Sequence, residues 1–348
     1  MKPRIIVAPH FRTMDEIFDT SALGRLNDLG EIIWGRDGAM PQDGMETALQ
    51  DATAVVFGTW DYGRDAIPAA GKNLRYVFEV AGSHAHPHLN YRACLERGIQ
   101  VGGCAHAFGS AVAEMGFAMA LSVGRLVNEG DADFRAGNEK WLHEGTVNAV
   151  TTWGKTIGFV GAGGLSIPLQ QMLTPFETRF LAYDPWIGDE ALRDREIEPV
   201  DLPELFEASD FIYVLAVPTP ENYQMVDSEL MGLLGPRQTL ILLSRAHLVD
   251  FEAMTDYVLA GRFRVGIDVW PAEPFDPDHR IRGARNAVFS AHRAGAIPEA
   301  LLEIGRMVVD DLEALLEGTD RPLRMQYATP EMVERLHPAE GDERSGVL

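Results

Sequence analysis

Residues 156–173 read TIGFVGAGGLSIPLQQML, and the order of properties along this stretch decides the fold. A short apolar, β-branched run comes first, then Gly161, Gly163 and Gly164, then a helical pattern. A strand that turns sharply into a helix through glycines sets helix N–H groups and approachable backbone beside an anion, as a dinucleotide pyrophosphate requires. Gly161 permits the tight turn and Gly163 lets the backbone come close to the phosphates. Ser166 stands where the fingerprint has its third glycine: it is small enough for close helix packing, but it is a departure. The glycines alone are equally well read as an ordinary βα turn. Asp184 lies 23 residues after Gly161, at the end of the next apolar run, RFLAY. A carboxylate there holds adenosine ribose hydroxyls and repels a 2′-phosphate, and no Arg immediately follows to receive one. The expected cofactor is therefore NAD rather than NADP. The competing reading of Asp184 is an Asp-Pro turn former.

Outward from this stretch, strand candidates alternate with helical segments. TRFLAYDPW, FIYVLAV, TLILLSR, FRVGIDVW and NAVFSAH follow the opening strand, making six, the strand count of a doubly wound dinucleotide sheet. Before it, PRIIVAP, EIIWG, AVVFGT, LRYVFEV and GIQVGG predict a second parallel sheet with covering helices. At 348 residues the chain exceeds what one core usually serves. The expected organisation is α/β with two domains: residues 1–111 and 296–348 as a substrate domain, and 112–295 as the dinucleotide-binding domain. A helical pattern through EALLEIGRMVVDDLEALLEG ends at Gly318, as a glycine cap would have it, and is expected to pack back on the first domain. Residues 331–348 read as a docked or frayed tail.

Thirty Lys and Arg against 52 Asp and Glu leave a net charge of −22. That field argues against nucleic acid and anionic membrane as partners, and an anionic ligand must meet a local Arg or helix N-terminus. Residues 112–127 are the most apolar long segment, but they contain Glu114 and Arg125 and are too short to span a bilayer. They predict a buried helix, apolar around most of its circumference, and hence a homodimer that covers it. Two cysteines, Cys94 and Cys104, and an N-terminus running straight into a strand fit a reduced, cytoplasmic compartment.

Three polar residues follow strand candidates late in the chain: Arg245 in LILLSRAHLVD, Glu273 in GIDVWPAEP and His292 in FSAHRAG. Singly they read as a surface ion pair, a solvated Glu and a structural His. In this order after a dinucleotide motif, they can converge at the carboxyl ends of a parallel sheet. With ERGIQV, GKTIGFVGAGG, AYDPW, SRAHLVD, IDVWPAEP and NAVFSAHRAGA, residues 75–320 resemble the D-isomer-specific 2-hydroxyacid dehydrogenases. The resemblance implies a flavodoxin-like substrate domain beside a Rossmann NAD-binding domain. It also implies hydride transfer between NAD and a D-2-hydroxy or 2-oxo acid. By the same resemblance, Arg245 clamps the substrate carboxylate, His292 is the acid/base and Glu273 orients it. Asp268 would contact the nicotinamide carboxamide, while Gly164, Leu165, Leu243, Ser244 and Gly295 line the cofactor.

Departures from the family concern the substrate. Arg245-Ala246-His247 replaces the family's RGG, and Gly103 and Ala105-His106 replace its Asn and Pro-Gly. In GSHAHPH, residues Ser83, His84 and Ala85 align with the loop that donates N–H groups to the carboxylate. Glu273 stands where formate dehydrogenases have Gln, which argues against formate. His84, His86 and His88 could suggest a metal, but Pro87 and the lack of nearby Cys or acidic ligands oppose one, and no metal is expected. Two other readings remain open: an NAD-binding, corepressor-like protein on the same fold, and an inorganic hydride donor such as phosphite.

Overall fold

The computed structural model describes residues 2–82 and 88–337. The chain divides into two compact units. One runs through Phe108 and resumes at Ile297; the other is Gly109–Ala296.

In the first unit, β1 (Arg4–Ala8), β2 (Glu31–Trp34), β3 (Ala54–Phe57), β4 (Tyr76–Glu79) and β5 (Gln100–Gly103) form a parallel sheet in the order β2-β1-β3-β4-β5. This is the flavodoxin-like order. The strands read as unbroken apolar runs because both faces are covered. Ile6, Val55 and Val77 face one core, and Ile5, Val7 and Val56 face the other. The second core is closed by the helix Pro298–Glu317, whose Ile304, Val308 and Leu312 are buried and whose cap, Gly318, has φ +66°. It packs on this unit as expected, with Arg25 holding Asp310 at 2.8 Å and Glu313 at 2.9 Å. Beyond it, Gln326–Tyr327 adds an antiparallel edge to β5, which the sequence pattern did not announce. Asp311, 1% exposed, secures that edge by accepting from the N–H groups of Arg324 (2.7 Å) and Met325 (2.9 Å) and from the Tyr327 hydroxyl (3.0 Å). A short helix, Pro330–Leu336, then docks through Val333 and Leu336.

The second unit holds a seven-stranded parallel sheet: β6 (Thr156–Val160), β7 (Arg179–Tyr183), β8 (Ile197–Pro199), β9 (Phe211–Val214), β10 (Thr239–Leu242), β11 (Arg264–Ile267) and β12 (Ala287–Phe289). Their order, β12-β11-β10-β9-β6-β7-β8, is doubly wound, and the direction of winding reverses between β6 and β9. Strand β8 was not among the expected six. Three residues long, ending in Pro and at the sheet edge, it carries no apolar run to read.

The expected helix at 112–127 lies three residues earlier, at Gly109–Gly124. It stops there because Leu126 takes a left-handed conformation, φ +58°, which breaks the helical hydrogen-bond ladder. Val112, Gly116, Met119, Ala120 and Val123 form its buried stripe, while Glu114 and Ala118 are exposed. Residues Ala105–Gly124 are long and apolar enough to cross a membrane, but Gly116 lies against Leu243 and Met119 against Gly266, as in a core helix.

Candidate active site

At the carboxyl end of β6 the backbone turns through Gly161 at φ +89°. A Cβ there would lie 2.5 Å from the main chain of Ala216, so only glycine fits. A Cβ on Gly163 would meet nothing within 4 Å, and Gly163 and Gly164 are exposed, leaving their backbone open to a ligand. Leu165, half-buried, leads into the helix Ser166–Leu173. The departure at the third glycine has a local reason. The Ser166 hydroxyl donates to the Gly163 carbonyl at 2.8 Å and accepts from Arg195 Nη2 at 2.8 Å. Arg195 Nη1 also donates to the Ala162 carbonyl at 2.6 Å, so the loop is latched from below. Burial lowers the affinity of this guanidinium for its proton, and Asp184 opposes the effect. Arg195 escapes sequence reasoning: it follows the short helix Asp189–Asp194, and only folding brings it under the glycines.

Asp184 follows β7 directly. Its Oδ2 accepts from Ala162 N–H at 2.8 Å, and its Oδ1 from Trp186 and Ile187 N–H at 2.8 and 3.1 Å. It is thus a turn former and a neighbour of the glycine loop at once, and it remains only half-buried. The tight turn, open glycine backbone and strand-end carboxylate suit a dinucleotide with an unphosphorylated ribose.

Strands β10, β11 and β12 are neighbours, and the other expected residues stand at their carboxyl ends. Past β10, Leu243 and Ser244 are buried, with Leu243 packed over Gly116. Arg245 is exposed, and among the described residues its side chain makes one hydrogen bond, Nη1 to the Ser244 carbonyl at 2.7 Å. His247, where the family has glycine, places Nε2 2.8 Å from the Thr219 carbonyl and so ties the β10 exit to the β9 exit.

Past β11, Asp268 is 1% exposed. Its Oδ1 accepts from Arg293 N–H at 2.9 Å, its Oδ2 from Ala294 N–H at 3.2 Å, and its carbonyl from His292 N–H at 2.7 Å. Glu273 Oε1 accepts from Trp270 N–H at 3.1 Å, and Oε2 lies 2.7 Å from His292 Nδ1. His292 has φ +51°, a conformation that costs a non-glycine residue about 1 to 3 kcal/mol and persists only where its surroundings impose it. With Nδ1 engaged, Nε2 is the nitrogen that can exchange a proton with a ligand. Gly295 is half-buried in the same loop.

Folding therefore joins Asp268, Glu273 and His292 in one hydrogen-bonded group and sets Arg245 at the adjacent strand end. Ser83, His84 and Ala85, with His86, lie outside the described residues.

Residues 117–294 match the family model described as D-isomer specific 2-hydroxyacid dehydrogenase, NAD binding domain. A glyoxylate reductase of Korarchaeum cryptofilum is 27% identical over 329 residues, 92% of this chain and 95% of that protein. A D-3-phosphoglycerate dehydrogenase of Mycobacterium bovis is 26% identical over 301 residues, 86% of this chain and 55% of its own. Among solved structures, a phosphoglycerate oxidoreductase from Rhizobium etli is 31% identical, with a TM-score of 0.83 over 94% of this chain and 98% of that one.

Proposed function

The chain belongs to the D-isomer specific 2-hydroxyacid dehydrogenase family, and on that premise we propose that His292, Glu273 and Arg245 carry its proton-transfer and carboxylate-binding chemistry. The enzyme is an NAD-dependent oxidoreductase acting on the CH–OH group of a 2-hydroxy acid, or on the matching 2-oxo acid in reverse. The observation that carries the residue assignment is the 2.7 Å contact between Glu273 Oε2 and His292 Nδ1 at the sheet's carboxyl edge.

NAD, when bound, would supply the two-electron hydride chemistry at C2 of the hydroxy acid. The exposed glycine backbone would hold its pyrophosphate, and Asp184 its ribose. In reduction, His292 Nε2 gives a proton to the C2 oxygen, and Glu273 stabilises the imidazolium that precedes this transfer. In oxidation, neutral His292 accepts the hydroxyl proton. Arg245 clamps the carboxylate because its planar fork donates two parallel hydrogen bonds. Residues 1–111 and 296–348 supply the substrate domain.

The relatives' names support small 2-oxo acids as substrates. NADH oxidation should therefore be followed with glyoxylate, pyruvate, hydroxypyruvate and 3-phosphohydroxypyruvate. Turnover of one or more supports the reading, and NADH binding without turnover of any favours a binding protein. We also infer a homodimer, supported by the exposed Val127, Phe134, Trp141, Leu142, Val147 and Trp153 of the second unit. Light scattering should give twice 38.3 kDa, and a monomer mass at micromolar concentration overturns it. Buried, unpaired Cys94 and Cys104, both pushed up to about 12 by burial, agree with a reducing cytoplasm.

A further inference from the structure

We propose that Arg12 is an oxyanion-binding residue of the first unit, and that it selects 2-oxo acids bearing a second negative group. It lies in the loop that leaves β1, in a sheet ordered β2-β1-β3-β4-β5. The direction of winding reverses between β1 and β3, and an open parallel sheet takes its ligands outside the carboxyl ends of its strands at that reversal. The two exits are joined there. Thr59 N–H, past β3, donates to the His10 carbonyl, and a Cβ on Gly58 would overlap the carbonyl oxygens of Pro9 and His10. Arg12 N–H closes the turn on the Pro9 carbonyl at 2.9 Å.

From this fixed loop the side chain reaches the exit of β4, where its Nε donates to the Val80 carbonyl at 2.8 Å. The guanidinium lies 5.0 Å from the centre of the Phe11 ring and 5.7 Å from that of Phe108, contacts that hold it in place. Its Nη1 and Nη2 have no hydrogen-bond or ion-pair partner among the described residues. Burial pulls the group below its usual pKa, with Cys104 and Glu16 opposing. Neither forms an ion pair with it. Cys104, just past β5, stays a neutral thiol, and the Glu16 carboxylate accepts from Thr13 N–H at 2.7 Å. A partly desolvated cation is costly to keep without an anion, and the outer N–H groups of a guanidinium fork match two oxygens of a carboxylate or phosphate. In a chain of net charge −22, such a local cation is what draws an anion in.

The inference rests on the oxidoreductase reading and adds a substrate class to it. Arg245 is assigned to the carboxylate that every 2-oxo acid carries, which leaves Arg12 for a second anionic group. Arg12→Gln removes the charge and keeps a donor for the Val80 carbonyl. Its kcat/KM with NADH should fall about a hundredfold for 3-phosphohydroxypyruvate and 2-oxoglutarate, mainly through KM, while glyoxylate and pyruvate change by less than about threefold. A larger loss on the first identifies phosphate as the group bound, and a larger loss on the second identifies carboxylate. Arg12→Lys, which restores the charge without the fork, should recover part of the loss. Equal losses on all four substrates, no loss on either doubly anionic one, or a wild type that turns over neither of these two, overturn the inference.

Binding separates this idea from the reading beneath it. Malonate, added as a probe to the wild-type protein in calorimetry, should bind, and Arg12→Gln should abolish that binding while Arg245→Lys retains it. Binding that survives Arg12→Gln removes Arg12 from any oxyanion site. A wild type that turns over no 2-oxo acid, yet binds malonate through Arg12, removes the dehydrogenase reading and leaves the oxyanion site standing.

Discussion

Asp184 and Asp268 occupy equivalent places, each immediately after a buried strand of the same parallel sheet, and each gathers main-chain N–H groups. Their surroundings separate them. Asp184 serves its own turn and Ala162 of the glycine loop yet stays half-buried, so a ligand can still reach it. Asp268 is closed off and binds the loop that follows β12. The two aspartates thus share the gathering of main-chain N–H groups and differ in exposure. Asp311 repeats the scaffold duty in the first unit, where it secures the edge strand. Glu79, at the end of β4, is the contrasting case. It is 2% exposed and accepts from the Tyr91 hydroxyl at 2.8 Å, and burial pushes its carboxyl up to about 8 despite that bond.

The largest effect is expected where the scaffold presents a reacting group. His292→Ala should lower turnover by roughly a hundred- to ten-thousandfold with NADH binding kept, and a smaller loss would mean that the residue held by Asp268 and Glu273 is not the proton carrier. Arg245→Lys should cost about a hundredfold in kcat/KM for the 2-oxo acid, because an ammonium cannot reproduce the bidentate fork. Wild-type efficiency in that variant would put Arg245 outside the substrate site.

Asp184→Ser bears on the accessible member of the pair. It should narrow the ratio of NAD to NADP efficiency by about tenfold, the scale of one charge-assisted hydrogen bond, and an unchanged ratio would confine Asp184 to its own turn. The smallest effect concerns Glu79. The folded protein keeps its proton up to about pH 8, while an unfolded chain loses it near 4.5, so its contribution is full below about 4.5 and lost as pH rises toward 8. The slope is at most about 1.4 kcal/mol per pH unit. Glu79→Gln should accordingly raise Tm more at pH 8 than at pH 5, and equal shifts at both would argue against a buried acid.

Much of this was legible in the chain because parallel strands covered on both faces must be written as continuous apolar runs. All five strands of the first parallel sheet and six of the seven in the second announce themselves that way. The glycine turn is equally explicit, since φ +89° beside the Ala216 backbone admits no side chain. What stayed hidden has weak local character. Ile197–Pro199 and Gln326–Tyr327 are too short to show a period, and the helix expected at 112–127 ends early through a left-handed Leu126 that no composition predicts.

The two parallel sheets, the glycine turn and the order of Arg245, Glu273 and His292 are legible from residue type and spacing along the chain, on which each depends. The folded chain alone shows that Arg195 latches the glycine loop, that His247 ties two strand exits, and that Asp268 is buried where Asp184 is half-buried. Those facts depend on which backbone N–H groups and carbonyls meet a side chain across neighbouring strands. Such partners carry no signature in residue type, because every non-proline residue offers the same N–H and C=O.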